Sequence, residues 1–198
     1  MVRRSTMQAR IIDATRLRLI EGMLEAITAN GYAATTIADV VAQARVSRRT
    51  FYEHFTDKDA CFLAAYAAAS DETMSVIAEA AVGASSWEQR LYSCVRAYLG
   101  LLEEKRALTR TFLLEIHAAG PAALKMRRAI HEQFAALLRA LVDAARAEGA
   151  KVAPLSPQMA VAVVGGINEL VLVALEKKAK LEDLAGTAAE LVRAVVAR

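Results

Sequence analysis

Between Gly31 and Tyr66 the chain signals three helix starts in quick succession. That spacing restricts the segment to two short helices, a tight turn and a third helix following at once. Thr36 stands at the first start. Its hydroxyl can accept from the free N–H groups of the first turn, and Asp39, three residues on, can reach back to close a capping box. Ile37, Val40, Val41 and Ala44 then fall on one face at helical spacing. Arg45-Val46 interrupts the pattern, and Ser47 is a fresh N-cap for a helix from Arg48 to Phe55. Phe51 and Phe55 are four apart and share a face; Arg48, Arg49, Thr50, Tyr52 and His54 occupy the other side. Thr56-Asp57 caps the third helix, with Lys58 in its first turn. Two short helices with a basic, polar face on the second are what a helix-turn-helix sets into a DNA major groove.

The run Thr35-Thr36-Ile37, then Val46-Ser47, then Thr50-Phe51-Tyr52-Glu53-His54-Phe55, then Asp57-Lys58, resembles the DNA-binding domain of the tetracycline repressor (TetR) family. The resemblance implies a homodimer that binds a palindromic double-stranded operator. It also implies a C-terminal helical domain that dimerises and senses a small molecule, with repression the usual outcome. Arg48 and Arg49 are the expected base readers, since guanidinium pairs well with guanine O6 and N7. Thr36, Tyr52, His54 and Lys58 match positions that in the family mostly hold phosphates, and all four can donate to phosphate oxygen. Arg16, Ser47 and Thr50 complete the expected contact set, although capping alone explains Ser47 and a core aromatic is the lesser alternative for Tyr52. Two positions depart from the family pattern. Val41 stands where a small Ala is common, and Arg45 where Gly is frequent, which strains the backbone if that position needs a positive φ.

The rest of the chain reads as helix. Strand-like alternation is absent, and only three prolines and nine glycines interrupt 198 residues. The expectation is an all-α fold of about nine helices: a helix-turn-helix domain with its N-terminal arm over residues 1–56, and an effector-binding and dimerisation domain over 57–198. The net charge is only +3, but Arg3, Arg4, Arg10, Arg16 and Arg18 face Asp13 alone, so residues to about Ala14 read as a basic arm suited to phosphate. A first helix follows, with Leu17, Ile20, Met23, Leu24 and Ile27 as its apolar stripe, ending at Asn30-Gly31. The helix begun at Asp57 runs unbroken towards Gly83, with no linker after the motif. Later helices start near Ser86, Leu108, Pro121, Ser156 and Leu181. Cys61 and Cys94 sit in apolar helical settings and read as buried small side chains, consistent with a reducing cytoplasm. The N-terminus lacks the apolar stretch of a signal peptide. The apolar run Met159 to Leu175 is short for a membrane span and carries Asn168 and Glu169.

A mostly apolar cavity between the fifth and eighth helices is the expected effector site, with Tyr98, Glu115, His117 and Asn168 as candidate polar lining. Glu115 and Asn168 are flanked by Leu113, Leu114, Ile116 and Ile167; a buried carboxylate would favour a cationic or hydroxyl-bearing ligand. Caps, surface positions or satisfied core polar groups remain the plainer alternative for all of these. The last two helices are apolar most of the way round, which suits either the chain's own core or a four-helix seam with a second copy. No metal and no cofactor are expected: His54, His117 and His131 show no ligand spacing, and there is no phosphate loop or nucleophile elbow. Two other classes stay open, an all-α enzyme with an incidental basic N-terminus and an architectural DNA-binding protein without an effector.

Overall fold

The computed structural model describes residues 2–197, with side chains from residue 14 onward. Among the described residues there are nine α-helices, two short 3-10 turns and no strand. Helix α1 spans Val2–Ala34, interrupted at Gly31 (φ 74°, ψ 167°). The expected arm is therefore helical from its start, because nothing before Gly22 breaks a helix. The side chains of Arg3, Arg4, Arg10 and Asp13 lie outside the described residues. Ile20, Met23 and Ile27 of the expected stripe are buried, but Leu19 takes the place of Leu17, which is exposed.

The capping signals produce the helices they predict. Thr36 Oγ1 accepts from Asp39 N at 3.3 Å while Asp39 accepts from Thr36 N at 2.8 Å, opening α2 (Ile37–Ala44). Ser47 Oγ accepts from Thr50 N at 3.0 Å, opening α3 (Arg48–His54). Asp57 accepts from Ala60 N at 2.7 Å, opening α4 (Lys58–Ala80). Between α2 and α3, Arg45 does adopt the left-handed conformation (φ 52°, ψ 49°). At Gly22 a Cβ would stand 2.8 Å from Val40 O and 2.9 Å from Ala44 N, so only glycine lets α1 and α2 cross this closely.

The remaining helices are α5 (Trp87–Glu104), α6 (Arg106–Glu115), α7 (Gly120–Ala147), α8 (Pro157–Glu176) and α9 (Ala185–Val196). The 3-10 turn Ile116–Ala119 follows α6, and another, Leu181–Leu184, precedes α9. Cys61 and Cys94 are buried and unpaired, as expected. Two apolar cores organise the molecule. The first joins α1–α4 to Leu108 and Phe112 of α6 and the start of α7; the second joins α5, the rest of α7, α8 and α9. Glu103 ties the two ends of the C-terminal part together. It accepts from Arg106 at 2.9 Å and from the Leu181 backbone at 2.7 Å. These bonds, the Leu181 one foremost, hold its carboxyl below the usual carboxylate range.

Candidate nucleic-acid interface and effector cavity

Helix α3 buries Phe51 and turns its polar side outward. Arg48 and Arg49 are exposed. The Arg49 side chain, 90% exposed, meets Glu53 at 3.3 Å, a contact too open to hold it in place. Tyr52 is 57% exposed and rests edge-on against Phe51, so it is not a core aromatic. The Ser47 and Thr50 hydroxyls share a hydrogen bond of 2.8 Å, and Thr36, besides capping, bonds Asp39 through its own hydroxyl at 2.7 Å. His54 is half-buried in the last turn of α3.

Two expected contact residues are engaged inside the protein. The Arg16 guanidinium lies 4.8 Å from the centre of the Phe55 ring. Lys58 Nζ donates to Tyr32 O at 3.0 Å and Thr35 O at 3.1 Å, and sits over the Tyr32 ring at 4.1 Å. This ammonium satisfies carbonyls where α1 hands over to α2, leaving it at most one free proton. The phenol of Tyr32 in turn donates to Asp59. Tyr32, Lys58 and Asp59 therefore lock the start of α4 to the base of the helix-turn-helix.

A cavity of about 160 Å³ opens among α4–α9. Its walls include Tyr66 and Ile77 of α4, Phe112 of α6 and Phe134 of α7. One polar line crosses it. Tyr98 Oη donates to Asn168 Oδ1 at 2.8 Å, and Asn168 Nδ2 lies 3.0 Å from His131 Nε2. Burial pushes the Tyr98 phenol up, with a smaller push from Tyr66, and takes Tyr66 to about 12. Burial, reinforced by the nearby Arg127 cation, holds the His131 imidazole below its ordinary value. At the edge, Lys105 and Glu72 pair at 2.6 Å.

Tyr98 and Asn168 thus line the cavity and touch, whereas Glu115 and His117 do not line it. Glu115 ends α6 and accepts from Ala33 N at 3.1 Å, capping the broken end of α1. His117 is exposed on the 3-10 turn that follows, and Glu169 is exposed on α8. A polar residue in an apolar run is not enough to predict a lining position, because the helix's rotation decides where it points. His131 went unrecognised. Its signal was a position inside the apolar series Ile130, Phe134, Leu137, Leu138 and Leu141 of α7.

Residues 19–65 match the family model described as bacterial regulatory proteins, tetR family, and residues 84–171 match the tetracyclin repressor-like C-terminal domain. The chain belongs to the TetR family. As a TetR-family protein it is a DNA-binding transcriptional regulator and not an enzyme. No curated protein matches the sequence. Among solved structures, FadR from Bacillus subtilis, a transcriptional regulator in complex with stearoyl-CoA, is similar with a TM-score of 0.75 at 18% identity. That match covers 89% of this chain and 96% of that one. The fatty acid degradation regulator FadR from Bacillus halodurans gives 0.77 at 18% identity, over 90% and 94%. A TetR-family regulator from Pectobacterium atrosepticum gives 0.72 at 23% identity, over 96% and 97%. These likenesses establish that the whole TetR fold, both halves, is present.

Proposed function

We propose that this TetR-family regulator is a cytoplasmic repressor that grips a palindromic operator as a homodimer and lets go when a mostly apolar small molecule enters the cavity among α4–α9. Helix α4 carries this reading. Its first turn is locked to the helix-turn-helix through Lys58 and Asp59, and its middle, from Tyr66 to Ile77, walls the cavity. The half 57–198 is therefore joined to the half 1–56 through the docked first turn of this one rod. Arg48 and Arg49 read bases; Thr36, Ser47, Thr50, Tyr52 and His54 hold phosphates; Arg16 and Lys58 set the angle of α3 as much as they touch DNA.

Helix α8 supports the dimer. Its most apolar stretch has a mean hydropathy of 1.8, yet only 28% of that stretch is buried within one protomer. Met159 and Val161 are exposed there. A second copy that covers α8 and α9 would hold two α3 helices about 34–36 Å apart, one turn of the duplex. A ligand that spreads α4 changes that separation and shifts the dimer away from its DNA-competent form, as far as its affinities for the two forms differ. The complex of the Bacillus subtilis regulator with stearoyl-CoA supports a ligand with an apolar chain, that ligand's CoA part being charged.

Selection of bound sites from a random DNA pool tests the DNA half of this proposal. Two inverted half-sites one helical turn apart are expected, with binding that falls steeply as salt rises. Recovery of single, unpaired sites would overturn the dimeric arrangement. An architectural role without effector is the second reading, and the cavity weighs against it.

A further inference from the structure

The polar line across the cavity narrows the class of effector, and this step rests on the effector reading just given. Among the residues that line the cavity, only Glu72, Lys105 and His131 can carry a charge at neutral pH. Glu72 and Lys105 neutralise each other at 2.6 Å. His131 is buried beside Arg127, which disfavours its cationic form. Among the described residues no lining group is left free to compensate a charge carried between these mostly apolar walls, and an uncompensated buried charge is strongly unfavourable.

Hydrogen bonding, in contrast, is provided for. Because Asn168 Oδ1 accepts from Tyr98, its Nδ2 must be the donor to His131, which makes Nε2 the acceptor and leaves the proton on Nδ1. Tyr98 Oη keeps lone pairs, Asn168 Nδ2 a second proton, and His131 an N–H. Donor and acceptor capacity thus lie along one line inside walls that are otherwise nearly all apolar. A dry cavity of about 150 Å³ can hold a benzene ring, so about 160 Å³ takes a single ring or a short alkyl chain without movement of the helices.

We propose that the effector is an uncharged, mostly apolar molecule bearing a single hydroxyl or carbonyl, and that Tyr98, Asn168 and His131 read that one group. A carboxylate or an ammonium of the same shape is excluded because the cavity holds no free opposite charge. Neither Tyr98 nor His131 bonds the ligand at random: Asn168 fixes the orientation of both.

The test uses the full-length dimer and four five-carbon probes matched in chain length: pentan-1-ol, pentanoate, pentylammonium and n-pentane. Binding is read by calorimetry and thermal shift, with operator release followed in parallel. Pentan-1-ol is expected to bind tightest and to release DNA. In Tyr98→Phe it should weaken by roughly 3- to 10-fold, the loss of one neutral hydrogen bond, while n-pentane is unchanged. Pentanoate or pentylammonium binding as tightly as the alcohol would overturn the inference and leave the effector reading intact. Equal weakening of pentan-1-ol and n-pentane in Tyr98→Phe would overturn the reading of that residue as a hydrogen-bonding partner. Failure of all four to bind would overturn both the inference and the effector half of the proposed function.

Discussion

Arg45 shows most plainly how one side chain can work against its own backbone. It ends α2 with φ 52°, a conformation that crowds any Cβ by roughly 1–2 kcal/mol. Arg45→Gly removes that crowding but gains freedom when unfolded, so the expected net effect is a stabilisation of about 0.5–1 kcal/mol, read by urea denaturation. His131 offers a second single-residue test. Its imidazole is held below the ordinary 6.5 because burial opposes the charge. The unfolded chain therefore binds this proton more readily, and the stability due to a neutral His131 is complete above 6.5 and fades as pH falls through the folded value. The difference between wild type and His131→Gln in denaturation midpoint should accordingly shrink on acidification from pH 7. A constant difference would mean that the imidazole is not held neutral by its site.

Elements carry the DNA reading. Arg48 and Arg49 present their charge only because Ser47 starts α3 at the right residue and Phe51 anchors its inner face. Arg48→Ala or Arg49→Ala should relax preference at one position of each half-site by about 1–3 kcal/mol, measured on a panel of single-base operator variants. Uniform loss across the panel would mark that arginine as a phosphate contact. The junction of α1 and α6 is the other element-scale feature. Gly31 sits at φ 74°, and a Cβ there would lie 3.0 Å from the Glu115 carboxylate that caps Ala33 N. Gly31→Ala is expected to cost about 1–3 kcal/mol in chemical denaturation. Adding Glu115→Ala should recover only the part due to the contact. Full recovery would show that the backbone conformation itself is not strained.

Across the whole molecule, the two cores meet along α6 and α7, and a change in cavity shape reaches α1 through Phe112 and Glu115 as well as through α4. The same layout leaves most of α8 uncovered within one protomer, the face that the proposed second copy would take. Val161→Glu places a charge at that seam without disturbing the protomer, since Val161 is 38% exposed there. Burial of that charge, unpaired, should cost the dimer about 3–5 kcal/mol, and sedimentation should show folded monomers with operator affinity lost. A variant that stayed dimeric would place the subunit contact elsewhere.

The helix starts from α2 onward, the all-α class and the exposed basic face of α3 were legible in the residues alone. Caps and apolar period are nearest-neighbour effects, decided within one or two turns of chain. The rotation of each helix about its axis was not, and it separated Leu17 from Leu19 and kept His117 out of the cavity. Nor was the partner of Glu115, 82 residues away along the chain, or the bond that joins Asn168 to His131, 37 residues apart. Which side chains converge is settled by how closely the helices cross, down to the missing Cβ of Gly22, and that distance is a property of the assembled cores.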